Sequence, residues 1–259
     1  MKKKVERIAG KFAEIISGWN NVEAIILGEA AEIETIDPYF NINLDIYYLG
    51  NLLPRNDRKE KLKLGIMLET SLIFPEDKFL VEDLPVRVRY KETARFGLIL
   101  KRIEDRLWVF RESGTNMFYR LTRGQVLFSK NDWLKTIQKR LEKPPEDFWE
   151  IIMDSTRFSI EFYLNDLDAA VYRNDRLFYL HSAASFIKSM CSFLFAYNKQ
   201  FEPSSRMLYE RVKALPRLPD EFIGRFESFL RHDMELPPKR KREIARLMAK
   251  SILSLQYRF

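Results

Sequence analysis

Residues 22–49, VEAIILGEAAEIETIDPYFNINLDIYYL, constrain the fold more than any other stretch of this chain. They spell strand, turn, loop, strand. Gly28 closes the apolar run VEAIIL, where a sharp backbone turn leaves no room for a side chain. In Asn41-Ile42-Asn43-Leu44-Asp45-Ile46-Tyr47 polar and apolar residues alternate with period two. That period places Asn41, Asn43 and Asp45 on one face of a strand and Ile42, Leu44 and Ile46 on the other. Short oxygen-bearing side chains beside a glycine turn suit a hydrated cation or a phosphate. The same row also suits the solvent face of an edge strand.

The segment resembles the catalytic core of the DNA polymerase beta-type nucleotidyltransferase superfamily, and more narrowly its two-domain DUF4037-like group with a helical C-terminal half. The signature there is a Gly-Ser turn after the first strand, Asp-x-Asp on the second, and a third carboxylate on a later strand. The carboxylates hold two Mg²⁺ ions that clamp a triphosphate for in-line transfer. Members of the group read S-D-I-D-L-G-x-Y-Y on the second strand. This chain reads Phe40-Asn41-Ile42-Asn43-Leu44-Asp45-Ile46-Tyr47-Tyr48, so both carboxylates fall on asparagines.

Three departures follow from that alignment. Glu29 stands where a hydroxyl would meet the incoming phosphate, and it repels that anion. Asn41 and Asn43 are neutral amides, and Mg²⁺ favours charged oxygens. The third carboxylate belongs on the strand Val86-Arg87-Val88-Arg89-Tyr90, whose outward residues are Arg87 and Arg89. A guanidinium cannot ligate a metal. In a second register Asn43 and Asp45 form the ligand pair and one carboxylate stays in place, with Glu82, Asp83 or Glu92 as candidate displaced ligands.

The resemblance extends over roughly residues 22–230. Thr115-Asn116, Tyr119-Arg120-Leu121, Gly124-Gln125-Val126-Leu127-Phe128 and Asn131-Asp132-Trp133-Leu134 are similar to the family's G-x-V-L-Y-D-P-D-G-x-L stretch. Residues 193–208 are similar to L-F-A-L-N-x-x-Y-x-P-x-x-K-W-L, with Asn198 matching and Arg206 in place of Lys. Leu215-Pro216-Arg217-Leu218-Pro219 fits the family's L-P-x-x-P link. The resemblance thus implies a ligand-binding set of Gly28, Glu29, Asn41, Asn43, Asp45, Arg87, Arg89, Asn198 and Arg206. Asp45 is the one catalytic candidate, with Asn43 and Asp45 as the metal pair if a Mg²⁺ site survives.

Periodicity elsewhere predicts an α+β chain. A small mixed nucleotidyltransferase-type sheet with flanking helices is followed by an all-α helical bundle, as residues 1–143 and 144–259, with the boundary at Pro144-Pro145. Val5, Ile8, Phe12, Ile15, Ile16 and Trp19 recur at helical spacing. Strands are expected near 22–28, 40–48 and 86–90, and helices over about 58–70 and 129–142. Within 92–128, ETARFGLILKRIED suits a helix, while RLWVF and QVLFS suit strands. Beyond 144 only helices are expected: 147–173 with Phe148, Ile151, Ile152, Phe158, Phe162 and Leu164 facing the core, then 177–201, 204–214, 220–231 and 239–256.

The remaining features narrow the function little. The lone Cys191 cannot form an intrachain disulfide, which fits a reducing cytoplasm. No run of about twenty uncharged apolar residues is long enough to span a membrane. A charged fraction of 31% leans towards a heat-tolerant source. The net charge of +7 gathers in Lys2-Lys3-Lys4 and Lys239-Arg240-Lys241-Arg242, runs that can attract a phosphate backbone or simply be solvated. Nucleic acid is a weaker partner than a nucleotide or other phosphate-bearing small molecule, because no aromatic is interleaved with the 239–242 run. His181 with Ser182 and Ser185 lacks an acid for a relay. Arg225 and His232 share a helical face at the loose spacing of HEPN ribonucleases. Two functions stand: a nucleotidyltransferase fold that binds a ligand without transfer, its Asp45 neutralised by Arg87 or Arg89, and an active Mg²⁺-dependent transferase moving an NMP group to a small or macromolecular acceptor.

Overall fold

The computed structural model describes residues 2–28, 41–68, 75–101, 110, 114–145, 147–231 and 237–255. Glu29, His232 and residues 106–109 of the RLWVF run lie outside them. The chain divides into two compact units, one of Met1–Arg102 with Met117–Pro144 and one of Ile103–Asn116 with Pro145–Phe259.

The first unit is built on a six-stranded sheet. Helix α1 (Lys2–Ser17) precedes β1 (Val22–Leu27) and β2 (Ile42–Tyr48). Then come α2 (Arg55–Lys61), β3 (Ile66–Leu68), β4 (Glu76–Val81), β5 (Leu84–Glu92), α3 (Thr93–Lys101), α4 (Asn116–Arg123), β6 (Gln125–Ser129) and α5 (Trp133–Glu142). Strand order is β3-β4-β5-β2-β1-β6, and only β2 and β5 run parallel. The sheet is mixed and the architecture is α+β, as the strand-then-helix pattern implies.

Period two dictates which face is buried under α1. Ile42, Leu44 and Ile46 of β2 join Val86, Val88 and Tyr90 of β5 and Val5, Ile8, Phe12 and Ile16 of α1 in one apolar cluster. Phe12 meets Phe79 edge-on at 5.2 Å between ring centres, and Trp19 stacks on Tyr90 at 6.2 Å. One ion pair is buried on this face. Arg58 grips Asp77 through Nε at 2.7 Å and Nη2 at 3.0 Å, and the Tyr90 hydroxyl donates to Asp77 Oδ2 at 2.8 Å. With its carboxylate this fully bonded, burying the pair is tolerable. The β4–β5 hairpin closes on Glu82 and Asp83, both at positive φ (50° and 65°), as a two-residue turn matched to strand twist requires. Arg7 of α1 pairs with Glu82 at 2.5 Å, and Lys4 donates to the Glu82 carbonyl at 2.7 Å. The N-terminal basic residues therefore have an acidic partner within the fold.

The expected helix over 58–70 is shorter and earlier than its composition suggests. It ends at Lys61, and Ile66–Leu68 form an edge strand on β4. Gly65 explains the break, because a Cβ there would meet the Leu80 carbonyl and the Val81 side chain.

The second unit is helical: α6 (Phe148–Arg173), α7 (Arg176–Tyr197), α8 (Leu208–Lys213), α9 (Phe222–Leu230) and α10 (Pro238–Leu253). Helices α6 and α7 form the central hairpin. Asn174, at φ 53°, caps α6 in the left-handed conformation, and Asp175 caps α7 by accepting from the Phe178 amide at 3.0 Å. On α6 the buried residues include Phe148, Trp149, Ile152, Ile160, Leu167 and Ala170. Phe158 and Phe162, expected in the core, are instead 67% and 51% exposed, because Ile160 and Leu167 turn the opposite face of the helix inward. Helix α7 is buried over its second half; Leu177 and Leu180 near its start are exposed. The 239–242 run is tied down locally: Arg240 pairs with Glu243 at 2.6 Å, Arg242 with Asp168 at 3.8 Å, and Lys241 donates to the Arg231 carbonyl. No helix among the described residues is long and apolar enough to cross a membrane.

Candidate functional site

The sheet face opposite α1 carries the polar row. In the parallel β2–β5 pair Asn43 lies beside Arg87, Asp45 beside Arg89 and Tyr47 beside Lys91. In the antiparallel β4–β5 pair Arg89 lies beside Glu76 and Arg87 beside Lys78. Neighbours across a ladder share a face, so Asn43, Asp45, Arg87, Arg89, Lys91, Glu76 and Lys78 all point to the same side.

Asp45 is fully buried. Its Oδ2 takes Arg120 Nε at 2.5 Å and Lys91 Nζ at 2.9 Å. Arg120 reaches it from α4 across Gly28, where a Cβ would come within 2.7 Å of the guanidinium Nη2. Gly28 thus gives up a side chain to admit an arginine. The Gly28 amide meanwhile donates to the Asn43 carbonyl at 2.8 Å and holds the end of β1 on β2. Burial alone would raise the Asp45 carboxyl, but the charges of Arg120 and Lys91 outweigh it and bring its pKa down to about 2. Burial, with the charge of Arg120 added, draws Lys91 down to about 8 against the pull of Asp45. Arg120 cannot deprotonate, so the cluster keeps a fixed cation locked to a carboxylate.

This corrects one expectation. Arg87 and Arg89 do not neutralise Asp45; that role falls to Arg120 and Lys91. The two strand arginines turn towards Glu76, which takes Arg89 Nε at 3.1 Å and Arg87 Nε at 3.5 Å, with Lys78 also at 3.5 Å. One carboxylate therefore serves three partly exposed cations. Asn43 donates through Nδ2 to the Asn41 carbonyl at 3.1 Å, so the two asparagines lie together at the head of β2.

Among the described residues the donor set around Asp45 does not fit Mg²⁺. Both charged partners of Asp45 are cations, and a metal would have to displace a guanidinium. Among the described residues no group of three or more His, Cys, Asp or Glu side chains could hold a metal ion. Glu82, a candidate displaced ligand, is committed to Arg7 and Lys4 at the hairpin tip.

Asn198 and Arg206 belong to the second unit. Asn198 donates through Nδ2 to the Leu194 carbonyl at 2.8 Å and the Arg217 carbonyl at 2.9 Å, and its Oδ1 accepts from the Arg217 amide at 2.9 Å. Its side chain works as a backbone clip that fixes the Leu-Pro link to the end of α7. Arg206 is exposed on the turn before α8. His181 is exposed, and Ser182 donates to the Phe178 carbonyl at 2.8 Å rather than to a histidine. Arg225 pairs with Glu221, the residue that precedes its helix.

Reading the sequence alone missed the roles of Lys91 and Arg120. Lys91 had a visible signal, since it continues the period-two series Arg87, Arg89. Arg120 lies in a stretch that resembles the family, but nothing there pointed to Asp45, because only the tertiary fold brings α4 over Gly28.

Comparison with known proteins adds the following. The family described as "Domain of unknown function (DUF4037)" matches residues 111–206. The chain is similar in structure to a nucleotidyltransferase-like protein from Exiguobacterium sibiricum 255-15, at a TM-score of 0.48 and 11% identity, over 96% of this chain and 74% of that one. No curated protein matches it. The chain is thus similar to DUF4037 over the stretch that begins just before α4 and ends just before α8.

Proposed function

We propose that the first unit binds a nucleotide or another phosphate-bearing small molecule on the sheet face of β4, β5 and β2, and that it does so without two-metal transfer chemistry. The observation that carries this reading is the charge surplus among the described residues: there Glu76 serves Lys78, Arg87 and Arg89, while Asp45 is consumed by Arg120 and Lys91. Arginines two residues apart on a strand share a face, and their N–H forks suit phosphate oxygens. Among the described residues the face offers no cluster of carboxylates to hold the paired metal ions that in-line transfer requires.

Calorimetric titration with ATP, GTP, CTP and UTP, with and without Mg²⁺, tests the reading. Expected is binding that persists without Mg²⁺, weakens as ionic strength rises, and falls at least about tenfold in an Arg87→Ala, Arg89→Ala double variant. Binding that requires Mg²⁺ and releases pyrophosphate would establish the transferase instead.

A further inference from the structure

A separate cavity of about 320 Å³ lies wholly within the second unit, between α6 and α7 with Phe110 and Glu202 in its wall. That volume sits at the lower end of the range for small-molecule sites, about 300 to 1,000 Å³. Its walls are unusual for a helical hairpin because hydroxyls line both helices: Ser155, Thr156 and Ser159 from α6, and Ser185, Ser189 and Ser192 from α7.

Hydrogen-bond bookkeeping decides what these hydroxyls can offer. Thr156 donates to the Ile152 carbonyl at 2.8 Å, Ser159 to Ser155 at 3.0 Å, and Ser189 to Ser185 at 2.9 Å. Ser192 donates to Glu202 Oε2 at 3.0 Å. A hydroxyl has one hydrogen and two lone pairs. With the hydrogens committed to helix carbonyls and to Glu202, these four groups turn acceptors towards the cavity. Glu202 adds a carboxyl.

The carboxyl is built into place. The Glu202 amide donates to the Thr115 hydroxyl at 2.8 Å, and Asn116 Nδ2 donates to the Glu202 carbonyl at 3.4 Å. The side chain lies against Gly114, where a Cβ would sit 2.7 Å from Oε1. Gly114 stands at φ +56°, so its lack of a side chain serves both the turn and the carboxyl. Burial lifts Glu202 to about 7 despite the hydrogen bonds from Ser192 and at Thr115 and the charge of Lys188. At the rim stand Phe158 and Phe162, the two aromatics of α6 left largely in water. All the polar residues in this account fall within the stretch matched by the family, 111–206.

A wall of hydroxyl acceptors with the Lys188 and Tyr163 donors among them suits a ligand that can both donate and accept. Lys188 in the wall disfavours a cationic one, and the phenyl rings suit the flat C–H face of a saturated ring. We propose that this cavity is a binding site for a neutral polyhydroxylated small molecule, a sugar or cyclitol, whose hydroxyls donate to Thr156, Ser159, Ser189 and Glu202 while its apolar face rests on Phe158 and Phe162. The site is independent of the phosphate-binding face, and each reading can fail without the other.

Saturation-transfer NMR on the full chain tests it, with glucose, galactose and myo-inositol as probes at millimolar concentration and spermidine as the cationic control. Saturation of at least one polyol is expected, lost about tenfold or more in a Ser159→Ala, Ser189→Ala variant that removes two acceptors without filling the space. A second variant, Phe158→Ser, keeps the hydroxyl wall and is expected to weaken the same ligand through the rim, its fold checked by circular dichroism. No polyol signal, a signal unchanged in both variants, or preference for spermidine each overturns the proposal.

Discussion

Replacing Asp45 by Asn tests whether the carboxylate is the counter-ion of a buried pair or a free group awaiting a metal. The geometry sets the size of the effect. Asp45 is fully buried, its Oδ2 takes both Arg120 at 2.5 Å and Lys91 at 2.9 Å, and the Arg120 side chain is only 5% exposed. Removing one partner of such a pair strands the other charge in a medium that solvates it poorly, at a cost of about 3 to 5 kcal/mol. Lys91 escapes part of this. Its pKa is already about 8 with Asp45 present, falls further without it, and the amine becomes neutral near pH 7. Arg120 has no such exit, so the loss is concentrated there. Hydrogen exchange of the β2 and β5 amides in wild type and Asp45→Asn measures the change locally, which avoids assuming that two units unfold together. Adding Arg120→Met to Asp45→Asn should restore most of the loss, because an apolar chain of similar length replaces the stranded cation. The pH dependence carries the same sign. A carboxyl lowered from 3.8 to about 2 stabilises the fold above its unfolded pKa, and that contribution vanishes as pH falls towards 2; Asp45→Asn should lack this acid limb. A loss below about 1 kcal/mol, with no rescue by Arg120→Met, would refute the counter-ion reasoning.

Further outcomes follow from other contacts. Glu76→Gln removes the one carboxylate shared by Lys78, Arg87 and Arg89; it should change stability by less than about 1 kcal/mol and tighten ATP binding severalfold by calorimetry. Glu202 holds its proton to about pH 7 when folded and to about 4.5 when unfolded, so exchange protection in the second unit should decline by about 3 kcal/mol as pH rises from 4.5 through 7, and Glu202→Gln should flatten that slope. Asn198→Ala removes both bonds to the exposed Arg217 backbone and one of the two that the Leu194 carbonyl accepts, and should cost about 1 kcal/mol in urea unfolding of the second unit. Gly114→Ala forces a Cβ against Glu202 at positive φ and should lower stability by about 2 kcal/mol or more in the same assay.

Much of the first unit was legible because its strands obey strict alternation. Ile42, Leu44 and Ile46 on one side, with Asn43 and Asp45 on the other, told both that residues 42–48 form a strand and which face α1 covers. Strand β4 escaped notice for a physical reason. In EDKFLV the buried positions are Asp77, Phe79 and Val81, and a carboxylate at a core position breaks the hydrophobic pattern. Only Arg58 and Tyr90, from elsewhere in the chain, make that burial tolerable. Local composition misled over 58–70 in the same way: RKEKLK suits a helix, yet Gly65 is needed flat against the backbone of β4.

The site was legible in its residues but not in its partnerships. Alternation placed Asn43, Asp45, Arg87 and Arg89 on one face, and the register agrees. What alternation cannot supply is the choice of counter-ion. Arg89 sits directly beside Asp45 in the ladder yet turns to Glu76, while Asp45 takes a lysine one step along β5 and an arginine from α4. The reason is electrostatic economy on a crowded face. A buried carboxylate must be matched by cations that can share its burial, and Arg120, entering over the bare Cα of Gly28, is nearly as enclosed as Asp45 itself, whereas Arg87 and Arg89 keep about a third of their side-chain surface in water and suit Glu76, which is 21% exposed. The same logic ties the glycine to the charge: adding a methyl group at residue 28 would push Arg120 off Asp45, so a Gly28→Ala variant should weaken the β2–β5 core and shrink its acid limb, because the still-buried Asp45 carboxyl, deprived of the Arg120 charge, rises from about 2 towards its ordinary value without a single ionisable group being altered.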